Sequence, residues 1–288
     1  MSSTSSRQAL WHWFLLTRPW NVLSMGIMVW LVMRWLGHAP ESFWTGGQLG
    51  WLLVPMLVGA AGNVINDYFD IREDRINKPA KTHIGRTVKR RVAMASHWGL
   101  SLVALGWSAW LSSRIAEPTP WLLVAGFTLI LTLYSPMLKG RGARGNAAIS
   151  LCVGGLVLWG AVATLPNRWW TPESLQSWAP LAGLLAGINF VREWVKDVQD
   201  LKGDHAAGHA TMAAKLSERT NRFGVATAVA FLAALSLVWM FHVDVHAWGI
   251  AAHAFVAACA LLQALRWRIS ALSPWLKILM ATLFVSVA

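Results

Sequence analysis

Charge is scarce in this 288-residue chain: 13% of its residues are ionic, whereas soluble domains are usually nearer a quarter charged. Acids are the scarcer sign, with 13 Asp and Glu against 25 Lys and Arg. Cysteine occurs twice, as Cys152 and Cys259, both inside apolar stretches. That excludes a disulfide framework and any cysteine-based metal motif. Tyrosine also occurs twice, as Tyr68 and Tyr134. No low-complexity segment and no second, soluble domain is visible, and the N-terminal stretch MSSTSSRQALWHWFLLTRPW lacks the layout of a cleaved signal peptide. What is abundant is apolar: 56% of the chain is hydrophobic, mean hydropathy is +0.45, and there are twenty tryptophans. The composition predicts an all-α, polytopic membrane protein, with indoles at the membrane–water interfaces.

Nine candidate spans follow, at 20–37, 49–66, 92–113, 119–137, 147–165, 177–196, 222–241, 246–265 and 274–288. Alternating the loops between two sides sorts the cations sharply. One side holds Arg7, Arg18, eight bases from Arg72 to Arg91, three from Lys139 to Arg144, six from Arg192 to Arg222, and Arg266, Arg268 and Lys277. That is 22 of the 25; Arg34, Arg114 and Arg168 fall on the other. The positive-inside rule puts the N-terminus on the cytoplasmic side and the C-terminus outside. We expect an integral protein of a bacterial cytoplasmic membrane. The net charge of +12 lies in loops between spans and not on one soluble face, which excludes nucleic acid as a partner. No obligate protein partner is indicated.

Six of the seven aspartates form two clusters of identical spacing, Asp67-x2-Asp70-x3-Asp74 and Asp197-x2-Asp200-x3-Asp204. Each follows an apolar stretch and opens a long cytoplasmic loop, 67–91 or 197–221. At about 100° per residue, each trio falls within about 60° of helix surface. Carboxylates at a membrane boundary mark a site more often than a solvated face, and the matched clusters suggest an internal duplication. Two such faces meeting across a cavity would suit Mg2+, a hard ion that combines a few carboxylates with waters and phosphate oxygens. Arg75, Lys78, Lys139 and Lys196 are candidate diphosphate contacts, although positive-inside topology explains any one of them equally well. Asn66 and Asn63 lie within one turn of the first cluster; each is placed to add a carbonyl ligand, and for Asn63 a structural hydrogen bond is as good a reading. A diphosphate leaving group within a membrane implies a lipidic substrate, and ring faces in the pocket would stabilise the carbocation left behind. His205 and His209 stand four apart, but oxygen ligands dominate there and argue against a transition metal. The remaining histidines show no usable spacing.

The sequence NDYFDIREDRINKP at 66–79 resembles the first motif, N-x3-D-x3-D, of the UbiA family of intramembrane prenyltransferases, with Asn66, Asp70 and Asp74 in the named positions. DVQDLKGD at 197–204 resembles the second, with Asp200 and Asp204. LYSPMLKGRGARGN at 133–146 is similar to the segment carrying Tyr134 and Lys139, and TRPWN at 17–21 to the start of the first helix, with Arg18 and Asn21. The resemblance spans 1–288 as a single domain. It implies nine helices around a cavity open sideways to lipid, Mg2+, and a prenyl diphosphate donor. It assigns Asn66, Asp70, Asp74, Asp200 and Asp204 to Mg2+–diphosphate binding, with Asp67 and Asp197 in support. Lys139 becomes a diphosphate contact, Tyr134 a pocket residue, and Arg18 and Asn21 acceptor-side residues.

The 79–86 segment departs from the quinone-pathway pattern, and REWVKDVQDLKGD at 192–204, followed by Ala207-Gly208, is closer to the geranylgeranylglyceryl phosphate branch. The expected acceptor is therefore a lipid such as geranylgeranylglyceryl phosphate, whose phosphate Arg86, Lys89, Arg90 and Arg91 would suit. An aromatic quinone precursor, needing only a cation such as Arg18, is the alternative. A divalent-cation transporter and a non-catalytic lipid-binding protein are the competing classes. Transport sites usually lie at the bilayer midplane on broken helices, unlike these clusters.

Overall fold

The computed structural model describes residues 6–37 and 46–287, which are helical with short connections; the polar start at 1–5, His38 and Ala288 lie outside them. Twelve α-helices occur among the described residues: α1 (Ser6–Leu16), α2 (Pro19–Trp35), α3 (Gly46–Phe69), α4 (Ile71–Asn77), α5 (Arg90–Ile115), α6 (Thr119–Leu133), α7 (Ala143–Thr164), α8 (Pro172–Ala207), α9 (Met212–Lys215), α10 (Glu218–His242), α11 (Ala247–Leu265) and α12 (Ile269–Val287). Each of the nine expected spans coincides with one of the nine longest. Six of these are long and apolar enough to cross a membrane: α3, α7, α10, α11, α12, and α6 with its continuation to Leu138. The pair α1–α2, bent by 41°, makes a seventh if it is one span. Helices α5 and α8 have the length, but Arg90 and Arg91 open the first and charged residues crowd the end of the second.

The helices pack as two compact units. In the first (6–30 and 46–137), α3 lies along α5 and α6, and α1 touches α3. Its membrane-depth polar tie is His97, 1% exposed, whose ring nitrogens meet the Ala61 carbonyl at 3.1 Å and Thr132 Oγ1 at 3.3 Å. The segment after α4 is not an open loop. A tight turn at 84–88, with Gly85 at φ +82°, drops Ile84 and Val88 onto Leu16, Val64 and Ala93, with Trp13, Tyr68 and Ile71 around them. Stacking of His12 on His83 (4.1 Å) and a 2.7 Å bond from His12 Nδ1 to Thr87 Oγ1 fasten α1 to this turn. Burial of the His83 ring, then the neighbouring His12, push the His83 pKa down against the pull of Asp67.

In the second unit (31–37 and 138–287), α8 packs against α7, α10 and α12, and α11 lies between α10 and α12. His253, fully buried, ties three helices together through Ser236 and Thr282, each at 2.7 Å. Along the α7–α8 seam a Cβ on Gly154 would stand 2.8 Å from the Ala182 carbonyl oxygen and 3.2 Å from Ala186 Cβ. Close backbone approach of this kind is what small residues permit in membrane helices. Gly183, in α8, has nothing within 4 Å of the same position. Gly183→Ala should therefore gain up to about 1 kcal/mol of helix propensity. Gly154→Ala meets a backbone atom that cannot rotate away and should lose about 1–3 kcal/mol net. Thermal midpoints in detergent should move in opposite directions; a shared direction would refute the seam.

Candidate functional site

The first carboxylate cluster straddles the α3–α4 junction. Asp67 closes α3, Asp70 occupies the junction, and Asp74 lies in the first turn of α4. The helical bonding register runs through the junction: Asp70 N–H donates to Asn66 O (2.9 Å), Asp74 N–H to Asp70 O (2.9 Å) and Lys78 N–H to Asp74 O (2.8 Å). These bonds bridge a break in the helix, where Asp70 itself takes φ −83° and ψ 11°. Asp70 is buried, and so is Glu73, an acid the spacing argument did not place in the site.

Two arrangements orient these groups. Between α1 and α2 the chain breaks at Arg18, which adopts a left-handed φ of 53° just before Pro19. Such a conformation at a non-glycine residue costs about 1–3 kcal/mol and persists only where surroundings impose it. Here α3 imposes it: Asn63 Nδ2 donates to the Thr17 carbonyl (2.9 Å), and one turn later Asp67 Oδ1 takes Arg18 Nη2 at 2.6 Å. Asn63 thus makes the structural bond of its two expected readings. Arg18, expected on the acceptor side, sits on a carboxylate of the first cluster; Asn21 lies one turn along, in the first turn of α2.

The second arrangement is a chain, Ser135 to Asn66 to Asp70. Ser135 Oγ donates to Asn66 Oδ1 (2.9 Å), and Asn66 Nδ2 donates to Asp70 Oδ2 (3.0 Å). The amide oxygen offered as a metal ligand therefore carries one bond already and keeps its second lone pair. Ser135 follows Tyr134 in a π-helical turn, a widened geometry often found at functional sites. Arg75 and Lys78 are exposed, and Arg75 reaches over Gly85. Of the four bases suited to an acceptor phosphate, all are exposed; Arg86 donates to Pro79 O at 2.9 Å and Arg90 lies 4.9 Å from the Tyr68 ring centre.

The second cluster lies wholly inside α8, whose 36 residues run without interruption past the expected span end at 196. It stops four residues after Asp204, at Gly208, which takes φ +80° while His209 N–H returns to Asp204 O (2.9 Å). Glycine at that position is the usual helix terminator of this geometry. Asp204 and Asp197 are buried and Asp200 partly so. Asn146, at the start of α7 and itself buried, donates Nδ2 to Asp197 Oδ2 at 3.0 Å. One layer deeper Asn189 meets Ser150 at 3.3 Å. Lys196, expected on diphosphate, is held at 2.7 Å by Glu193, which also takes Arg192 at 2.7 Å.

Lys139 sits in a loop joined to the chain that follows this cluster. Residues Arg141 and Ala210 pair as an isolated parallel bridge, and Gly142 N–H donates to Ala210 O at 3.1 Å. Gly140 fits against His209, whose Nδ1 would be 3.0 Å from a Cβ there. The loop bearing Lys139 is thus stitched to the strand of chain that leaves Asp204. Sequence reasoning missed Asn146, Ser135 and Glu193, although all three lie within or beside the quoted motifs.

Among the described residues no three His, Cys, Asp or Glu side chains converge as a ready-made cation cage. Mg2+ needs none when a substrate's phosphates supply oxygens, and the clusters offer carboxylate and amide oxygens, a hard donor set.

The UbiA prenyltransferase family profile matches residues 19–286. The chain belongs to the UbiA prenyltransferase family. It is 32% identical, over 225 residues, to digeranylgeranylglyceryl phosphate synthase of Methanoregula boonei, covering 78% of this chain and 75% of that one. In fold it is similar to a UbiA homolog from Aeropyrum pernix K1 (TM-score 0.72, 17% identity, 92% of this chain and 96% of the other). It is also similar to a UbiA homolog from Archaeoglobus fulgidus bound to GPP and Mg2+ (TM-score 0.57, 14% identity, 96% and 99%). This UbiA family member is therefore a prenyltransferase and an all-α, polytopic integral membrane protein.

Proposed function

We propose that this UbiA family enzyme transfers a geranylgeranyl group from its diphosphate to a glycerol phosphate ether lipid such as geranylgeranylglyceryl phosphate, acting with Mg2+ and as one domain over 1–288. The observation that carries this reading is the pair of carboxylate faces at helix ends, in a chain so similar over three quarters of its length to a digeranylgeranylglyceryl phosphate synthase. Asn66, Asp70, Asp74, Asp200 and Asp204 are the residues that would hold Mg2+ and, through it, the diphosphate; Asp67 and Asp197 support them. When bound, the metal supplies Lewis-acid stabilisation of charge on the leaving group.

The chain's own cations do the rest of the binding. Arg75, Lys78 and Lys139 draw in the diphosphate, and Lys196 adds its charge where Glu193 already holds it in place. Tyr134 lines the prenyl pocket. Arg18 and Asn21 orient the acceptor, Arg18 from a fixed position on Asp67. The acceptor's hydroxyl oxygen bonds to C1 as the bond from C1 to diphosphate breaks, and the hydroxyl proton leaves with the released diphosphate. No side chain need form a covalent intermediate, and no nucleophile–base pair is present in either cluster. Orientation follows the cations, with the N-terminus and both clusters cytoplasmic.

Purified enzyme with geranylgeranyl diphosphate and Mg2+ should release diphosphate only when acceptor is added, and the product mass should equal acceptor with its hydroxyl hydrogen replaced by one geranylgeranyl group. Release with an aromatic quinone precursor and none with the glycerol phosphate ether would replace this acceptor; release with neither would reject the reaction.

A further inference from the structure

We propose that a cleft at the start of α10, lined by no residue of either carboxylate cluster, binds one anionic phospholipid of the surrounding membrane. The cleft has a volume of about 680 Å³ and is lined by Arg219, Thr220, Arg222, Phe223, Ala226 and Leu265. It rests on the membrane orientation given above and not on the prenyl chemistry.

Residues 219, 222, 223 and 226 lie at i, i+3, i+4 and i+7, so they share one face of α10. The face is graded. Arg219 stands in its first turn; Arg222 and Phe223, the latter 75% exposed, lie side by side one turn on, and Ala226 follows. Leu265, 54% exposed, closes the opposite wall from the last turn of α11. A cation pair at the headgroup level above an apolar floor at the acyl level is the shape and polarity of a phospholipid's upper half.

The arginine geometry suits an anion. Arg222 Nη2 donates to the Leu265 carbonyl at 2.9 Å, which holds the guanidinium across the mouth and leaves its other N–H donors available. Arg219 has no ion pair among the described residues. Arg266 and Arg268, in the turn that follows Leu265, add positive charge on the same side, while Glu218 is the acid nearest in sequence. Basic pockets between membrane helices on the cytoplasmic side take acidic lipid headgroups for this reason. A zwitterionic lipid brings a cation with its phosphate and so offsets less of the arginine charge. A soluble phosphate would leave Phe223, Ala226 and Leu265 wet.

The test uses the full-length enzyme in mild detergent, titrated with phosphatidylglycerol, phosphatidylcholine or inorganic phosphate, with thermal midpoint as readout. Phosphatidylglycerol should raise the midpoint by about 3 °C for each tenfold excess over its Kd; the other two should not. Arg219→Gln, which breaks no hydrogen bond or ion pair among the described residues, should abolish most of that shift while leaving the midpoint without lipid, and prenyl transfer in lipid-free detergent, unchanged. Arg219→Lys should retain it. Equal shifts with phosphatidylcholine would overturn the charge argument, and equal shifts with inorganic phosphate would overturn the lipid. A raised KM for the prenyl acceptor in Arg219→Gln would make the cleft an acceptor dock and overturn the separate site. Because turnover is measured alongside, a failed lipid shift in an active enzyme is distinct from a failed prenyltransferase.

Discussion

Replacing Asp70 or Asp200 by asparagine should cut prenyl transfer about a thousandfold, roughly 4 kcal/mol of transition-state stabilisation, and leave the fold intact. Asparagine keeps the volume and loses the charge. At position 70 its carbonyl oxygen can still accept from Asn66 Nδ2, now 3.0 Å away, so the Ser135–Asn66 chain survives. At position 200 the residue sits in an unbroken helix and the exchange costs little locally. What vanishes is one anionic ligand to a divalent ion, a loss that neither substrate nor water replaces at equal strength. Expression and thermal midpoint should stay near those of the parent. The seventh aspartate is the internal control: Asp244, in the α10–α11 turn at φ 58°, belongs to neither cluster. Asparagine tolerates that backbone region, so Asp244→Asn should be silent. The measurement is product formation at saturating prenyl diphosphate and Mg2+; near-parental turnover in Asp70→Asn or Asp200→Asn would remove the metal assignment.

Much of this architecture was readable from residue order because membranes make one constraint dominant. Backbone groups in hydrocarbon must bond within their own helix, so each apolar run located a helix, and the nine expected segments each met one. The second motif was legible for a related reason: α8 carries Asp197, Asp200 and Asp204 without interruption, whereas the first motif straddles the break at Asp70. Hydropathy fails where helices leave the bilayer. It ended the sixth span at 196, whereas α8 runs on to Ala207, a further ~16 Å at 1.5 Å per residue. It also left 79–89 as loop, where Ile84 and Val88 in fact pack on Leu16 and Val64. Those contacts join residues 20 to 72 positions apart, and no local pattern encodes them. The elbow at Arg18 was half visible, since Pro19 marks a break, but its tether to Asp67 depends on where α3 lies. Asn146 was hidden for the same reason: its partner is 51 residues away.

Asn146 carries the second large expected effect. It is 3% exposed, and its one amide donor seen on a carboxylate goes to Asp197, which is itself buried. A carboxylate in that setting adopts the rotamer its donor dictates, and groups that orient metal-binding carboxylates typically contribute 10–100-fold to affinity or activity. Asn146→Ala should therefore lower turnover by about that factor and raise the Mg2+ concentration needed for half-maximal rate. A role confined to packing would lower the thermal midpoint and leave the Mg2+ requirement where it was. Ser150→Ala separates the two cases: it removes the 3.3 Å contact with Asn189 and the 2.6 Å bond from Ser150 Oγ to the Asn146 backbone carbonyl, and leaves the Asn146 amide on Asp197 in place. Its cost should be about 1 kcal/mol of stability with the Mg2+ dependence unchanged. A cycle with Asp197→Asn completes the argument, because two residues serving one purpose are not additive. If Asn146 acts through Asp197, the double variant should be no slower than the worse single one. Full additivity, or an Asn146→Ala enzyme with unaltered Mg2+ dependence, would reduce Asn146 to a packing residue and leave Asp197 to be oriented by the rest of α8.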